Sequence, residues 1–209
     1  MHGVYVDGYV GNLGTKVLIE KKYDELAKYF SVEFLDTQKR KLEDSILIKG
    51  GLVPSLSFFD NKLIDKEEIS KGGFLSALWK ICDRNKWGLK YNLKEVPIMQ
   101  SSIEIANYFD LNPYRLLTKS VNIYVIDDVG VDMELFVAHM VRNDVWANAC
   151  GARLAENTIC PFVKIGEIVD TKKRVRIDGE AEAFLTKDYK DEIDKVLPRY
   201  TKEVNGVKI

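Results

Sequence analysis

Val4-Tyr5-Val6-Asp7-Gly8-Tyr9-Val10-Gly11-Asn12-Leu13-Gly14-Thr15 runs a short strand through a glycine-rich turn into a helix. The helix is expected from Thr15 to Phe30, because Ile19, Tyr23, Leu26 and Phe30 recur at helical steps and share one face. Lys16, Glu20, Lys21, Asp24 and Lys28 form the other face, with Asp24 and Lys28 an i,i+4 pair. The same device returns downstream. Ser70-Lys71-Gly72-Gly73 introduces a helix from Phe74 to Asn85, whose broad apolar face (Phe74, Leu75, Leu78, Ile81, Cys82, with Trp79 beside it) predicts burial on more than one side.

Outward from these two units, Trp87, Leu89, Tyr91 and Leu93 alternate as in a half-buried strand. Thr37 to Glu43 is charged and expected at the surface, and Ile46 to Phe59, broken by Gly50-Gly51 and Pro54, as extended or irregular structure. Ser101-Ser102-Ile103-Glu104 has the pattern of a capping box opening a short helix to Phe109, which Asn112-Pro113 ends. Val121 to Ile126 and Phe162 to Val169 are expected strands, and Asp132 to Arg142 and Trp146 to Glu156 expected helices. Asp178-Gly179 between Arg174–Ile177 and Glu180–Leu185 is a strong hairpin signal. A last helix is expected over Asp188 to Val196, then a loose tail over 199–209. Strands and helices interleave without a repeat or a linker. The expectation is one α+β domain, residues 1–198, with helices packed on a mixed sheet.

Composition narrows the function classes. The chain has 209 residues, 31 basic and 32 acidic side chains, and a net charge of -1. That balance argues against a dedicated nucleic-acid binder, which usually carries a basic surplus. At 46% hydrophobic it can bury a sizeable core. No run approaches the roughly 18 apolar residues of a membrane span. Met1-His2-Gly3-Val4 lacks the basic leader and apolar core of a signal peptide, so a soluble cytoplasmic chain is expected. Cys82, Cys150 and Cys160 form no CxxC and are expected as free, buried thiols. His139, among Leu135, Phe136, Ala138 and Met140, suits a helix face better than a ligand set.

Glycine turns that open helices let backbone amides approach an anion, and the helix N-terminus favours negative charge. Gly8, Gly11 and Gly14 are spaced unlike a dinucleotide fingerprint, and GxxxxGK[ST] is absent, so ordinary turn geometry stays open beside phosphate binding. Asp7, Asp60, Asp65, Glu67 and Glu68 are scattered, and Asp127-Asp128 at a strand end is either a cation pair or a turn. Lys172-Lys173-Arg174, with Arg176, is expected as a solvated sheet edge that blocks strand pairing. Asn112-Pro113-Tyr114-Arg115 is a rigid turn presenting a guanidinium suited to oxyanions, or else capping the preceding helix.

Taken in order, Gly8 to Lys16, Gly72-Gly73-Phe74-Leu75-Ser76-Ala77-Leu78-Trp79, Val96-Pro97-Ile98, Asn112-Pro113-Tyr114-Arg115-Leu116-Leu117, Lys164-Ile165-Gly166-Glu167-Ile168 and Asp191-Glu192-Ile193 resemble the C-terminal domain of the AIR synthase-related superfamily. Its members include aminoimidazole ribonucleotide synthetase, the hydrogenase maturation carbamoyl dehydratase, thiamine-monophosphate kinase and selenophosphate synthetase. The flavour is that of the clostridial-type AIR synthase-related branch. The resemblance implies a C-terminal-domain-like fold whose ATP and magnesium are held mostly by an N-terminal domain that this sequence does not show. It places Gly8, Gly11, Gly14, Glu68, Ser70, Gly72, Gly73 and Arg115 along a cofactor-facing cleft. It leaves the catalytic residues unknown and implies no metal ligand within this chain. Partners would be an N-terminal ATP-binding domain protein or a second copy, with no nucleic acid or membrane. Two departures stand out. Lys71 sits where related sequences often carry an acid, and Ser120 where a glycine is expected after the Asn-Pro-Tyr-Arg turn. The sequence also ends without the terminal cysteine that carbamoyl transfer in hydrogenase maturation requires. A non-catalytic C-terminal domain with an anion-facing cleft is therefore expected, or alternatively half of an ATP-dependent phosphoryl-transferring enzyme.

Overall fold

A computed structural model describes residues 2–47, 62–130, 162–179, 181–187 and 190–203. Among the described residues, seven strands form one mixed sheet: β1 (Gly3–Asp7), β2 (Leu63–Ile69), β3 (Gly88–Asn92), β4 (Val121–Ile126), β5 (Phe162–Val169), β6 (Arg174–Asp178) and β7 (Ala181–Phe184). Their order is β2-β4-β1-β5-β3-β6-β7. All neighbours are antiparallel except β3 and β6, which run parallel. The helices are α1 (Asn12–Lys21), α2 (Tyr23–Leu26), α3 (Val32–Leu47), α4 (Gly73–Asn85), α5 (Gln100–Tyr108), α6 (Ile193–Val196) and α7 (Tyr200–Glu203). The architecture is the expected α+β mixed sheet with helices packed on it. No described helix is long and apolar enough to cross a membrane.

Alternation along the strands separates the two faces of the sheet. Val4 and Val6 of β1, Val121, Ile123 and Val125 of β4, and Leu89 of β3 join Phe74, Leu78 and Ile81 of α4 in the principal core. Six consecutive residues of α4, Gly73 to Leu78, lie buried together with Ile81 and Cys82, which meets the expectation of a helix covered on several sides. A second core joins the helices: Val17, Leu18 and Ile19 of α1, Leu35 and Leu42 of α3, Ile105 of α5 and Ile193 of α6. The other sheet face carries Tyr5, Asp7, Asn122, Tyr124 and Phe162, brought alongside by the registers of β1 with β4 and β5.

Several local expectations are corrected. The first helix starts at Asn12 and breaks at Lys22, whose backbone leaves the helical region before the short α2 begins. Thr37 to Glu43 belongs to the sixteen-residue α3. Its inward contacts, Leu35, Leu42 and Ser45, are too sparse to show as a helical stripe within a charged run. The capping box does not form. Met99 precedes the first residue of α5, so Ser101 already lies inside the helix, and its buried hydroxyl finds no acceptor among the described residues. Glu104 accepts from Gln100 Nε2 at 3.1 Å. The basic run is not an edge, because β6 is paired on both sides. Arg174 lies over the Trp79 ring at 4.4 Å and donates to the Cys82 and Trp87 carbonyls. Helix α6 is confined to Ile193–Val196. In the expected tail, Thr201 of α7 is buried and bound to the Asp194 carboxylate through its amide and hydroxyl. Most of Ile46 to Phe59, both helices expected between Asp132 and Glu156, and His139, Cys150 and Cys160 lie outside the described residues.

Candidate anion-facing site

The two glycine turns converge on one segment. At the entry to α1, Gly11 sits at φ 73°, and a Cβ there would come within 3.0 Å of the Pro113 carbonyl oxygen. One on Gly14 would meet the Leu116 Cβ and the Leu117 backbone at 3.0–3.2 Å. At the entry to α4, Gly73 sits at φ 66°, and its Cβ would lie 2.6–2.8 Å from backbone atoms of Tyr114 and Arg115. The chain from Pro113 to Leu117 is therefore laid directly on both helix starts, which only glycines permit.

Hydrogen bonds lock the junction. Gly11 N–H donates to Thr118 Oγ1 at 2.8 Å, and Gly14 N–H to the Leu117 carbonyl at 2.7 Å. Asn12 binds Lys119 at both ends, donating to its carbonyl and accepting from its amide, each at 3.0 Å. At the second turn, Gly72 N–H donates to Asp191 Oδ2 at 2.8 Å and Gly73 N–H to the Ser70 carbonyl at 3.1 Å. The other oxygen of Asp191 accepts from Leu117 and Ile193 amides at 3.2 and 3.1 Å. Asp191 thus plays from within the chain the part a bound oxyanion plays at such a turn. Its burial, opposed by the three amides, pushes its carboxyl up to about 6.

Gly11, Gly14, Gly72, Gly73 and Arg115 are thereby brought together. Gly8, buried at φ 89° after β1, has no described contact with that junction. Ser70 takes part through its carbonyl, with its side chain exposed, and Glu68 is exposed on β2. Arg115 meets Gly73 through its backbone, while its side chain donates to Thr186 Oγ1 at 3.0 Å. The Asn112 side chain caps the turn by accepting from the Tyr114 amide at 3.1 Å.

Beside this turn opens a cleft of about 190 Å³, lined by Asn92, Leu93, Lys94, Tyr114, Arg176 and Asp178 among others. Phe74 packs edge-on against the Tyr114 ring, so the glycine turn and α4 set one wall. Lys94 pairs with Asp178 at 2.7 Å. The Arg176 Nε is buried and has no hydrogen-bond partner among the described residues. Arg176 and Arg115 both draw down the neighbouring Tyr91 phenol, but its burial prevails and pushes it up to about 12. Neither Arg176 nor Asp191 stands out as a site residue in the sequence. The first hides in a basic run, and the second acts on an amide more than a hundred residues away.

Across the sheet, Asp7 is buried and accepts from the Asn122 amide, the Asn122 side chain and the Tyr124 hydroxyl. Burial outweighs those bonds and raises its carboxyl to about 6. Asp128 accepts from Tyr5 Oη at 2.7 Å and Lys164 Nζ at 2.6 Å, so it is occupied within the chain. Magnesium needs several hard oxygen ligands. The described residues contain no group of three or more acidic, His or Cys side chains that could hold a metal. The described glycine-turn amides are likewise engaged internally. These residues by themselves do not fit a magnesium–triphosphate group.

The fold so built is that of AIR synthase-like proteins. Escherichia coli HypE, a hydrogenase maturation protein, superposes with a TM-score of 0.59 at 11% identity, over 91% of this chain and 51% of that one. A HypE crystallised in complex with ATP matches at a TM-score of 0.58 and 14% identity, over 92% of this chain and 52% of that one. Thiamine-monophosphate kinase from Stenotrophomonas maltophilia K279a matches at 0.55 and 15% identity, over 81% and 48%. Both kinds of protein are members of the superfamily the sequence resembles. The chain spans about half the length of these structures. No family model and no curated protein matches the sequence.

Proposed function

We propose that this chain is a C-terminal-type domain of the AIR synthase-related superfamily, closest to its clostridial-type branch, that performs no phosphoryl transfer by itself. It supplies a scaffold and an anion-facing cleft to an ATP-binding unit of the N-terminal type. The observation that carries this is the closure of the glycine turns. Thr118, the Leu117 carbonyl and Asp191 take the amides that a phosphate would need, so Gly11, Gly14, Gly72 and Gly73 serve to seat the Pro113–Leu117 segment. That segment in turn presents Tyr114 to the cleft.

The alternative, half of an ATP-dependent enzyme completed by a separate domain, is favoured by the extent of the likeness, about half of each neighbour. Calorimetric titration with magnesium–ATP, alone and with a candidate N-terminal ATP-binding domain, separates the two. A silent chain alone, with binding but no turnover in the mixture, supports the scaffold. Turnover restored by the mixture favours the alternative. ATP hydrolysis by the isolated chain would overturn both.

A further inference from the structure

We infer that the cleft between Tyr114 and Arg176 is a binding site for the phosphoryl group of a small molecule, with Arg176 as its principal ligand. The inference goes beyond the scaffold reading and stands whether or not that reading does, because it requires neither ATP nor a second domain.

Burying a guanidinium nitrogen without an acceptor is costly, and native structures rarely leave one so. Arg176 is held there by its strand. It lies opposite Tyr91 in the parallel β3–β6 register, and β7 pairs with its other side. Arg174, two residues earlier, is engaged by the Trp79 ring, two carbonyls and the Asp83 carboxylate at 3.5 Å. Arg176 has no carboxylate within ion-pair distance among the described residues, although Asp178 is two positions away. That aspartate binds Lys94 directly, at 2.7 Å, and the Lys94 hydrogen bond and charge, with a smaller contribution from the Arg176 charge, hold its carboxyl low.

The named lining thus carries two cations and one anion, with the anion already paired. A surplus positive charge remains next to a buried N–H. An arginine edge satisfies two oxygens of one phosphate at once, which a lysine cannot. The volume, about 190 Å³, suits a small phosphorylated molecule rather than a nucleotide triphosphate chain. Leu93 and the Tyr114 ring supply an apolar surface for the remainder of such a molecule.

The probe is inorganic phosphate, titrated into the full chain and followed by calorimetry and by the arginine Nε–H resonances. Saturable binding is expected, with the Arg176 resonance moving. Arg176→Gln should weaken binding at least tenfold, whereas Arg84→Gln, on the exposed Arg84–Asp65–Glu67 ion pairs, should leave it unchanged. Acetate at equal concentration should bind more weakly. Tighter acetate than phosphate binding would assign a carboxylate ligand and overturn the phosphoryl inference. No saturable binding, or equal affinity of the Arg176→Gln and native proteins, would also overturn it. Should Arg176→Gln fail to fold, Arg176→Lys, which keeps the charge and loses the fork, must bind phosphate measurably more weakly.

Discussion

Gly73→Ala isolates the feature on which the junction rests. At φ 66° an L-residue pays about 1–2 kcal/mol for the left-handed backbone. The new Cβ would also lie 2.6 Å from the Tyr114 carbonyl oxygen and 2.7–2.8 Å from the Arg115 backbone. None of these is a side-chain tip that can swing aside, so the Tyr114–Arg115 segment must move. Forced overpacking of this kind costs about 1–3 kcal/mol. Together the two effects amount to about 2–5 kcal/mol, a large part of the stability of an ordinary domain. Gly179→Ala is the control. It has nearly the same backbone, φ 63°, but its added Cβ would meet no described atom within 4 Å. It should cost only the backbone share, about 1–2 kcal/mol. Urea unfolding followed by circular dichroism reads both, with the midpoint falling further for Gly73→Ala at unchanged slope. Equal midpoints for the two variants would refute the close-packing account of the glycine turn.

Two further outcomes follow from particular residues. Asp7 and Asp191 each have a carboxyl raised to about 6 in the folded chain, above the ordinary value near 3.8. Their protonated forms therefore favour folding. That contribution is fully present below about pH 4 and is lost as pH rises through about 6, by up to about 3 kcal/mol per group. Asp7→Asn should remove roughly half of the resulting fall in stability, measured as urea midpoints across that window; an unchanged pH profile would refute it. At Ser120, φ 61° imposes left-handed strain while Oγ donates to the Ile46 carbonyl at 2.8 Å. Ser120→Gly and Ser120→Ala both lose that bond, but only glycine relieves the backbone. The glycine variant should be more stable than the alanine variant by about 1 kcal/mol, read by thermal unfolding.

Much of the framework is legible because its signals are local. Val4 to Val6, Val121 to Ile126 and Phe162 to Val169 alternate or run apolar over strand lengths, and Asp178-Gly179 joins β6 to β7. The resemblance at Ser120 is informative too, since the position where a glycine was expected has a glycine-like backbone angle. What escapes the sequence depends on distant partners. Ser101 and Glu104 have the spacing of a cap, but α5 begins at Gln100 and carries both inside its first turns. Arg174 looks solvated until Trp79 is brought beneath it. For the site, glycine spacing marks both turns, yet nothing local says whether an external anion or the chain itself will meet their amides. Asp191 answers that for Gly72 from 119 positions away.

This long reach also orders events during synthesis. The turn that starts α4 emerges early, but its Gly72 amide waits for Asp191, and Gly11 waits for Thr118, 107 positions later. Closing loops of that length before the rewarding bonds form slows folding. Until residue 191 has left the ribosome, the nascent chain holds the start of α4 without its Gly72 acceptor. The carboxylate that seals it makes the C-terminal stretch the last fastening of the domain rather than an appendage to it.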